Sequence, residues 1–140
     1  MASQNDIADG IEERLATISA HRPYSEPQEA SEPQTEEGVA SEVLFIKREW
    51  LANCGSYTST YAVLLSAPSE GKGWSRTVRR LRDYLDATGS RSVETAIEAD
   101  RQLGGRVYDA VVTDVGGERL RKHGNEYRWT AQILVTVLHS

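Results

Sequence analysis

Between Asp6 and Ile18 the apolar residues Ile7, Ile11, Leu15 and Ile18 recur three or four positions apart, with Asp9, Glu12, Glu13 and Arg14 on the remaining faces. At 3.6 residues per turn that spacing gathers the four apolar side chains into one stripe, which predicts an amphipathic helix. Ser3 or Asn5 can cap it, and Asp6 and Asp9 suit the positive end of its dipole. Gly10 costs such a helix about 1 kcal/mol against alanine. The short apolar run from Val43 to Arg48 predicts a strand, and the β-branched and aromatic run from Ser59 to Ser66, stopped by Pro68, predicts another. The turn residues Asn53-Cys54-Gly55-Ser56 between them allow an antiparallel hairpin.

The clearest helix runs from Trp74 to Leu85, where Trp74, Val78, Leu81 and Leu85 form a stripe and Arg76, Arg79, Arg80 and Asp83 fall behind it. Thr88-Gly89-Ser90 ends it. Ser92 then caps a shorter helix carrying Val93, Ala96 and Ile97 and reaching to about Asp100, before Gly104-Gly105. The remainder reads as strands: Val111 to Val115, a turn at Gly116-Gly117, a hairpin tip at His123-Gly124-Asn125-Glu126, and a closing strand. In that last strand Tyr127, Trp129, Ala131, Ile133, Val135 and Val137 alternate with Arg128, Thr130, Gln132, Leu134, Thr136 and Leu138. The order of elements predicts a single α+β domain over residues 1–140, with a largely antiparallel or mixed sheet and the N-terminal helix and two central helices packed on one face.

Composition changes this picture in one place. Residues 25–42 hold six glutamates, two prolines and almost nothing apolar, so they cannot bury enough surface to offset ordering and are expected to form a mobile acidic loop or arm. The net charge of −5 also divides unevenly. Residues 1–42 carry ten acidic and two basic residues, net −8, whereas residues 43–140 carry eleven acidic and fourteen basic, net +3. A balance of +3 over that length is too weak to predict a nucleic-acid footprint, so no specific nucleic-acid binding is expected. No apolar run approaches the roughly 20 residues of a membrane helix, and the start Met1-Ala2-Ser3-Gln4-Asn5-Asp6 lacks the basic and apolar features of a secretory signal, so a soluble, cytosol-made protein is expected.

The chemistry-bearing residues are sparse. Cys54 stands alone, which permits no internal disulfide and no zinc-type spacing; it reads as a small half-buried residue. His21, His123 and His139 fall in separate loop or terminal contexts and read as solvent-facing. Gly71-Lys72-Gly73 leads from a strand into a helix, but a phosphate loop needs a glycine where Ser66 stands and Ser or Thr where Gly73 stands. No catalytic residue, metal ligand or cofactor is predicted. The arginines Arg76, Arg79, Arg80 and Arg82 read by default as a solvated helix face, with an acidic partner as the sharper alternative.

The stretch from Leu85 to Val112 resembles the middle of siphophage tail terminator subunits of the lambda type. It carries their Asp-x-Thr-Gly-x-Arg-Ser turn at Asp86 to Ser92, then Ala96-Ile97-Glu98-Ala99-Asp100 and Leu103-Gly104-Gly105 before an outward strand. The flanks are similar too, in the first helix, the Thr58-Ser59-Thr60-Tyr61 strand and the valine-rich close; residues 25–42 depart from the family's shorter and more apolar segment. The resemblance implies a non-enzymatic virion protein at the tail–neck junction, a homohexameric ring that docks on tail-tube protein, stops its growth and presents its other side to neck or head-completion proteins. A head-to-tail stopper is the alternative within the same particle, and a small nucleic-acid-binding regulatory domain the alternative outside it. Interface candidates are Trp50, the helix residues Arg76, Arg79 and Arg80, and the hairpin-loop residues Arg119, Arg121 and Lys122. Trp74, Tyr57, Tyr84, Tyr108 and Trp129 are further aromatics that can serve either core or interface.

Overall fold

The computed structural model of the chain describes residues 2–18, 22–24, 39–68, 74–123 and 126–140. The α+β expectation holds. Helix α1 (Gln4–Leu15) is followed by strands β1 (Arg22–Tyr24), β2 (Ala40–Leu51) and β3 (Ser56–Pro68), helices α2 (Trp74–Leu85) and α3 (Val93–Glu98), and strands β4 (Asp109–Val115), β5 (Arg119–His123) and β6 (Glu126–His139). The sheet order is β1-β2-β3-β6-β4, and β5 also pairs with β6. Among the described strands only the β1–β2 pair is parallel.

Strand alternation decides which side becomes the core. Tyr61, Val63 and Leu65 of β3 lie opposite Val135, Ile133 and Ala131 of β6, and all six are buried beneath the helices. Ile7, Ile11 and Leu15 of α1, Leu81 and Tyr84 of α2, and Val93 and Ile97 of α3 complete that core. At roughly 1.5–3 kcal/mol for each large side chain removed from water, this shared face is the main stabilising term of the domain.

Several local expectations change. The first helix begins at Gln4 and stops at Leu15, because Ser3 Oγ accepts from the Asp6 N–H while the Asp6 carboxylate accepts from the Ser3 N–H, a reciprocal box that excludes Asn5 as the cap. The third helix ends at Glu98, not Asp100, whose carboxylate instead accepts from the amides of Gln102 and Gly104. Strand β2 starts at Ala40, so Ala40, Ser41 and Glu42 belong to the sheet and not to an acidic arm; residues 25–38 lie outside the described residues. Arg119, Arg121 and Lys122 sit on a strand, not a loop, since the chain after Gly116-Gly117 pairs again with β6. Cys54 is exposed in the β2–β3 turn, not half-buried.

Gly10 proves to be a packing residue. It is buried against the turn after α3, and a Cβ there would lie 3.0 Å from Leu103 Cβ and 3.1 Å from Arg106 Cδ. Leu103 has little freedom to withdraw, being buried with φ at +50° ahead of Gly104 and Gly105, also in the left-handed region. Gly10→Ala is therefore expected to lower stability by about 1 kcal/mol, as overpacking of about 1–3 kcal/mol outweighs the helix-propensity gain. Urea unfolding checks this; a variant more stable than the parent contradicts it.

Candidate functional site

Two surfaces concentrate the side chains that could act outside the core. The first lies where β2 and β3 run beyond the helices. A bulge between Phe45 and Lys47 shifts the register, so that Phe45 faces the helix side before it and Arg48 and Trp50 face that same side after it. Trp50 lies directly opposite Tyr57, with ring centroids 4.7 Å apart, and Tyr57 stacks on His139 of β6 at 5.8 Å. The Arg48 guanidinium sits 4.6 Å from the Tyr57 ring centroid. Phe45 meets Tyr61 edge-on at 5.6 Å. Three strands thus present a row of aromatics with a cation over it, and Trp50 and Phe45 remain 56% and 49% exposed. Tyr108, another exposed aromatic, is held at the same end by its backbone N–H, which donates to the Leu138 carbonyl at 2.9 Å.

Beside this row lies a serine–histidine pair that the sequence did not suggest. Ser59 Oγ and His139 Nε2 are 2.7 Å apart, and His139 Nδ1 is 3.3 Å from the Ser140 carbonyl oxygen. The distance suits a nucleophile and base, but Ser59 is wholly buried and His139 nearly so, so no carbonyl substrate can reach the hydroxyl. The pair ties β3 to the end of β6. The expectation of a solvent-facing His139 is overturned, because Tyr57 covers the ring; nothing in two residues 80 positions apart signals their meeting.

The second surface is cationic and lies at the opposite end of β6. Arg119 and Arg121 of β5 face away from the helices, and Leu120 and Lys122 face toward them. All four are exposed. Arg119, Arg121 and Lys122 form no ion pair among the described residues. Arg82 of α2 reaches Glu118 at 2.5 Å, which holds that carboxyl below its usual range and joins the end of α2 to the start of β5. The remaining arginines of α2 do not form one surface: Arg79 is exposed, Arg80 is half-buried, and the side chain of Arg76 lies outside the described residues. Among the other aromatics, Tyr84 is fully buried and Trp129 is partly buried against the core.

No protein-family model and no curated protein matches this chain.

Among the described residues no three or more His, Cys, Asp or Glu side chains converge on a possible metal position, and no helix is long and apolar enough to cross a membrane. A small hollow between the start of α1 and the turn before β4, about 330 Å³ and lined by Asp6, Arg106 and Tyr108 among others, has no reactive pair beside it. His21, the turn at Gly71-Lys72-Gly73 and the tip at Gly124-Asn125 lie outside the described residues.

The charged surface of α1 is strained in one respect. Burial raises the Glu12 carboxyl above the ordinary 4.5, and the neighbouring charge of Asp9 raises it further. One Glu12 oxygen is buried with no hydrogen-bond partner among the described residues. A carboxyl whose folded-state affinity for protons is raised contributes stability fully below its unfolded pKa and loses that contribution as pH rises through the folded one. Glu12→Gln is therefore expected to be more stable than the parent at pH 7, with the difference vanishing below about pH 4. Thermal melts of both proteins from about pH 3.5 to 7.5 would show it, and a pH-independent difference would refute the assignment.

Proposed function

We propose that this chain is a structural ring subunit of a long-tailed phage, a tail terminator that caps the tail tube, stops its polymerisation and offers the surface on which the head is joined. The observation that supports this most directly is the aromatic row at the free end of the β2–β3 hairpin. A cluster of Trp, Tyr and Arg held by cross-strand pairing yet left open to water has the composition of a protein–protein contact, where such residues form the centres. The helix-turn-helix phrase from Leu85 to Gly105, on which the family resemblance rests, serves the scaffold: Ser92 Oγ accepts from the Thr95 amide and donates to the Asp86 carbonyl, and Gly89, Gly104 and Gly105 take up positive φ where the chain reverses.

On this reading the partners are further copies in a homohexameric ring, the tail-tube protein on one side and a neck or head-completion protein on the other. The site is the virion's tail–neck junction, and the work is done by shape and adhesion without cofactor or turnover. A stopper of the same neck is the second reading within the particle. A nucleic-acid-binding domain using the arginines of α2 is less favoured, since Arg82 is engaged with Glu118 and Arg79 and Arg80 differ in exposure.

Trp50→Ala combined with Arg48→Ala is expected to leave the monomer folded, with stability changed by about 1–2 kcal/mol through loss of the exposed pairing with Tyr57. The same variant is expected to lose ring assembly or capping of tail tubes. Native mass spectrometry and electron microscopy of tubes polymerised with the protein test this: tubes of normal length capped by the double variant contradict the assignment of the hairpin. A phage lacking this protein is expected to produce overlong, headless tails; normal tails on heads would defeat the terminator reading.

A further inference from the structure

We infer that the outer edge of β5 is a docking site for an extended acidic segment of another protein, which adds to the sheet as one more strand with its carboxylates beside Arg119 and Arg121; this does not depend on the ring-subunit reading. β4 and β5 lie end to end along the same side of β6, so together they form one edge of the sheet. The Gly116 N–H donates to the Gln132 carbonyl at 2.8 Å, so the even-numbered residues of β6 turn their backbone groups toward this side. Arg119 and Arg121, opposite Thr130 and Arg128, therefore direct their backbone groups at β6, and the alternate residues Leu120 and Lys122 turn theirs outward. In β4 the outward amides are those of Ala110 and Val112, and the chain closes both itself: Ala110 donates to Asp109 Oδ1 at 3.1 Å and Val112 to Glu98 Oε2 of α3 at 3.2 Å. In β5 no described group meets the amides of Leu120 and Lys122, which are left as a template for a further strand.

The side chains decide which strand can be added. Arg119 and Arg121 are exposed on the face away from the helices and form no ion pair among the described residues. On that same face Arg121 lies directly opposite Arg128, and like charges so placed destabilise a sheet. Arg128 is only 4% exposed, with Nη2 donating to Ser66 Oγ at 3.3 Å, so its charge is held close to Arg121. A carboxylate on the far side of Arg121 offsets that repulsion, and the planar guanidinium fork suits it. On the other face Leu120 is exposed diagonally from exposed Tyr127 and suits an apolar residue. The fitting segment therefore alternates acidic and apolar positions and joins by main-chain pairing. The same cations that admit it repel the β5 edge of a second copy, since pairing two such edges would bring arginines together. Open amides and carbonyls at strand spacing favour a polypeptide over nucleic acid.

The test titrates the full-length protein into a labelled synthetic peptide of alternating glutamate and valine, followed by fluorescence anisotropy at about 50 and 500 mM salt. The wild type is expected to bind it, more weakly at the higher salt, and to bind a peptide of alternating lysine and valine at least tenfold more weakly. In the complex the Leu120 and Lys122 amides are expected to exchange hydrogen more slowly than in the free protein. R119E/R121E, checked for folding by circular dichroism, is expected to lose at least tenfold in affinity. Leu120→Pro removes one outward N–H while leaving the β6 ladder its bonds, and is expected to weaken binding as well. Absence of binding at about 1 mM peptide overturns the inference. Equal affinity for a peptide of the same composition with its glutamates grouped at one end, or unchanged exchange at Leu120 and Lys122, overturns strand addition. Tighter retention of duplex DNA than of the peptide, lost in R119E/R121E, gives the β5 cations to nucleic acid and overturns it. Self-association of the wild type that R119E/R121E abolishes gives the edge to a second copy and overturns it too.

Discussion

The β3–β6 ladder is the constraint on which the rest of the fold depends. It runs unbroken from the Tyr57–His139 pair to the Pro68–Arg128 pair, and every other pairing attaches to one of its two strands, directly or through β2. Because side chains alternate along a strand, one choice of register places Tyr61, Val63, Leu65, Ile133, Val135 and Val137 together; a slip of one residue would exchange them for Thr60, Leu64, Gln132 and Thr136. The six buried residues hold the register, and the register tells α1, α2 and α3 where to pack.

A mismatch of lengths then follows. Twelve paired residues extend about 40 Å, while a twelve-residue helix covers only about 18 Å. With α1 and α2 at twelve residues and α3 at six, the helix layer cannot roof the whole sheet. Both ends of the central strands therefore stay open, one carrying Trp50, Tyr57 and Arg48 and the other β5 with its cations. The exposed surfaces are in this sense a by-product of the geometry that stabilises the core: residues at the uncovered ends contribute little to burial, so their identity is less constrained by it.

The fold class, three helices and the inward alternation of β6 were legible because each rests on local periodicity: Ile133, Val135 and Val137 point inward for the reason their spacing suggested. What was not legible depends on distant partners. Strand β5 reads Arg-Leu-Arg-Lys-His, with no apolar alternation, and is a strand only because β6 offers it a ladder. Gly10 looks like a defect until Leu103, 93 positions later in the chain, is placed against it. Of the candidate interface residues, the cations of β5 were legible as exposed and Trp50 only as an aromatic that could serve core or interface; their grouping was not legible, since it needed the pairing of Trp50 with Tyr57 and the closure of β4 by Glu98.

Two bulges show how a small irregularity carries that grouping. In β2 the extra residue at Ile46 resets the alternation, so Arg48 and Trp50 share a face with Tyr57 and His139, leaving Lys47 and Glu49 on the other side, 2.8 Å apart as an exposed ion pair. Without the bulge, the same sequence would turn Lys47 and Glu49 onto Tyr57 and send Trp50 to the opposite face, and the aromatic row would not exist. In β4 the extra residue at Thr113 lies just after the amide that Glu98 accepts, so the strand bends as its covered half ends. The sheet thus uses one device twice, once to assemble a surface and once to finish closing an edge. In both places one inserted residue decides which side chains share a face.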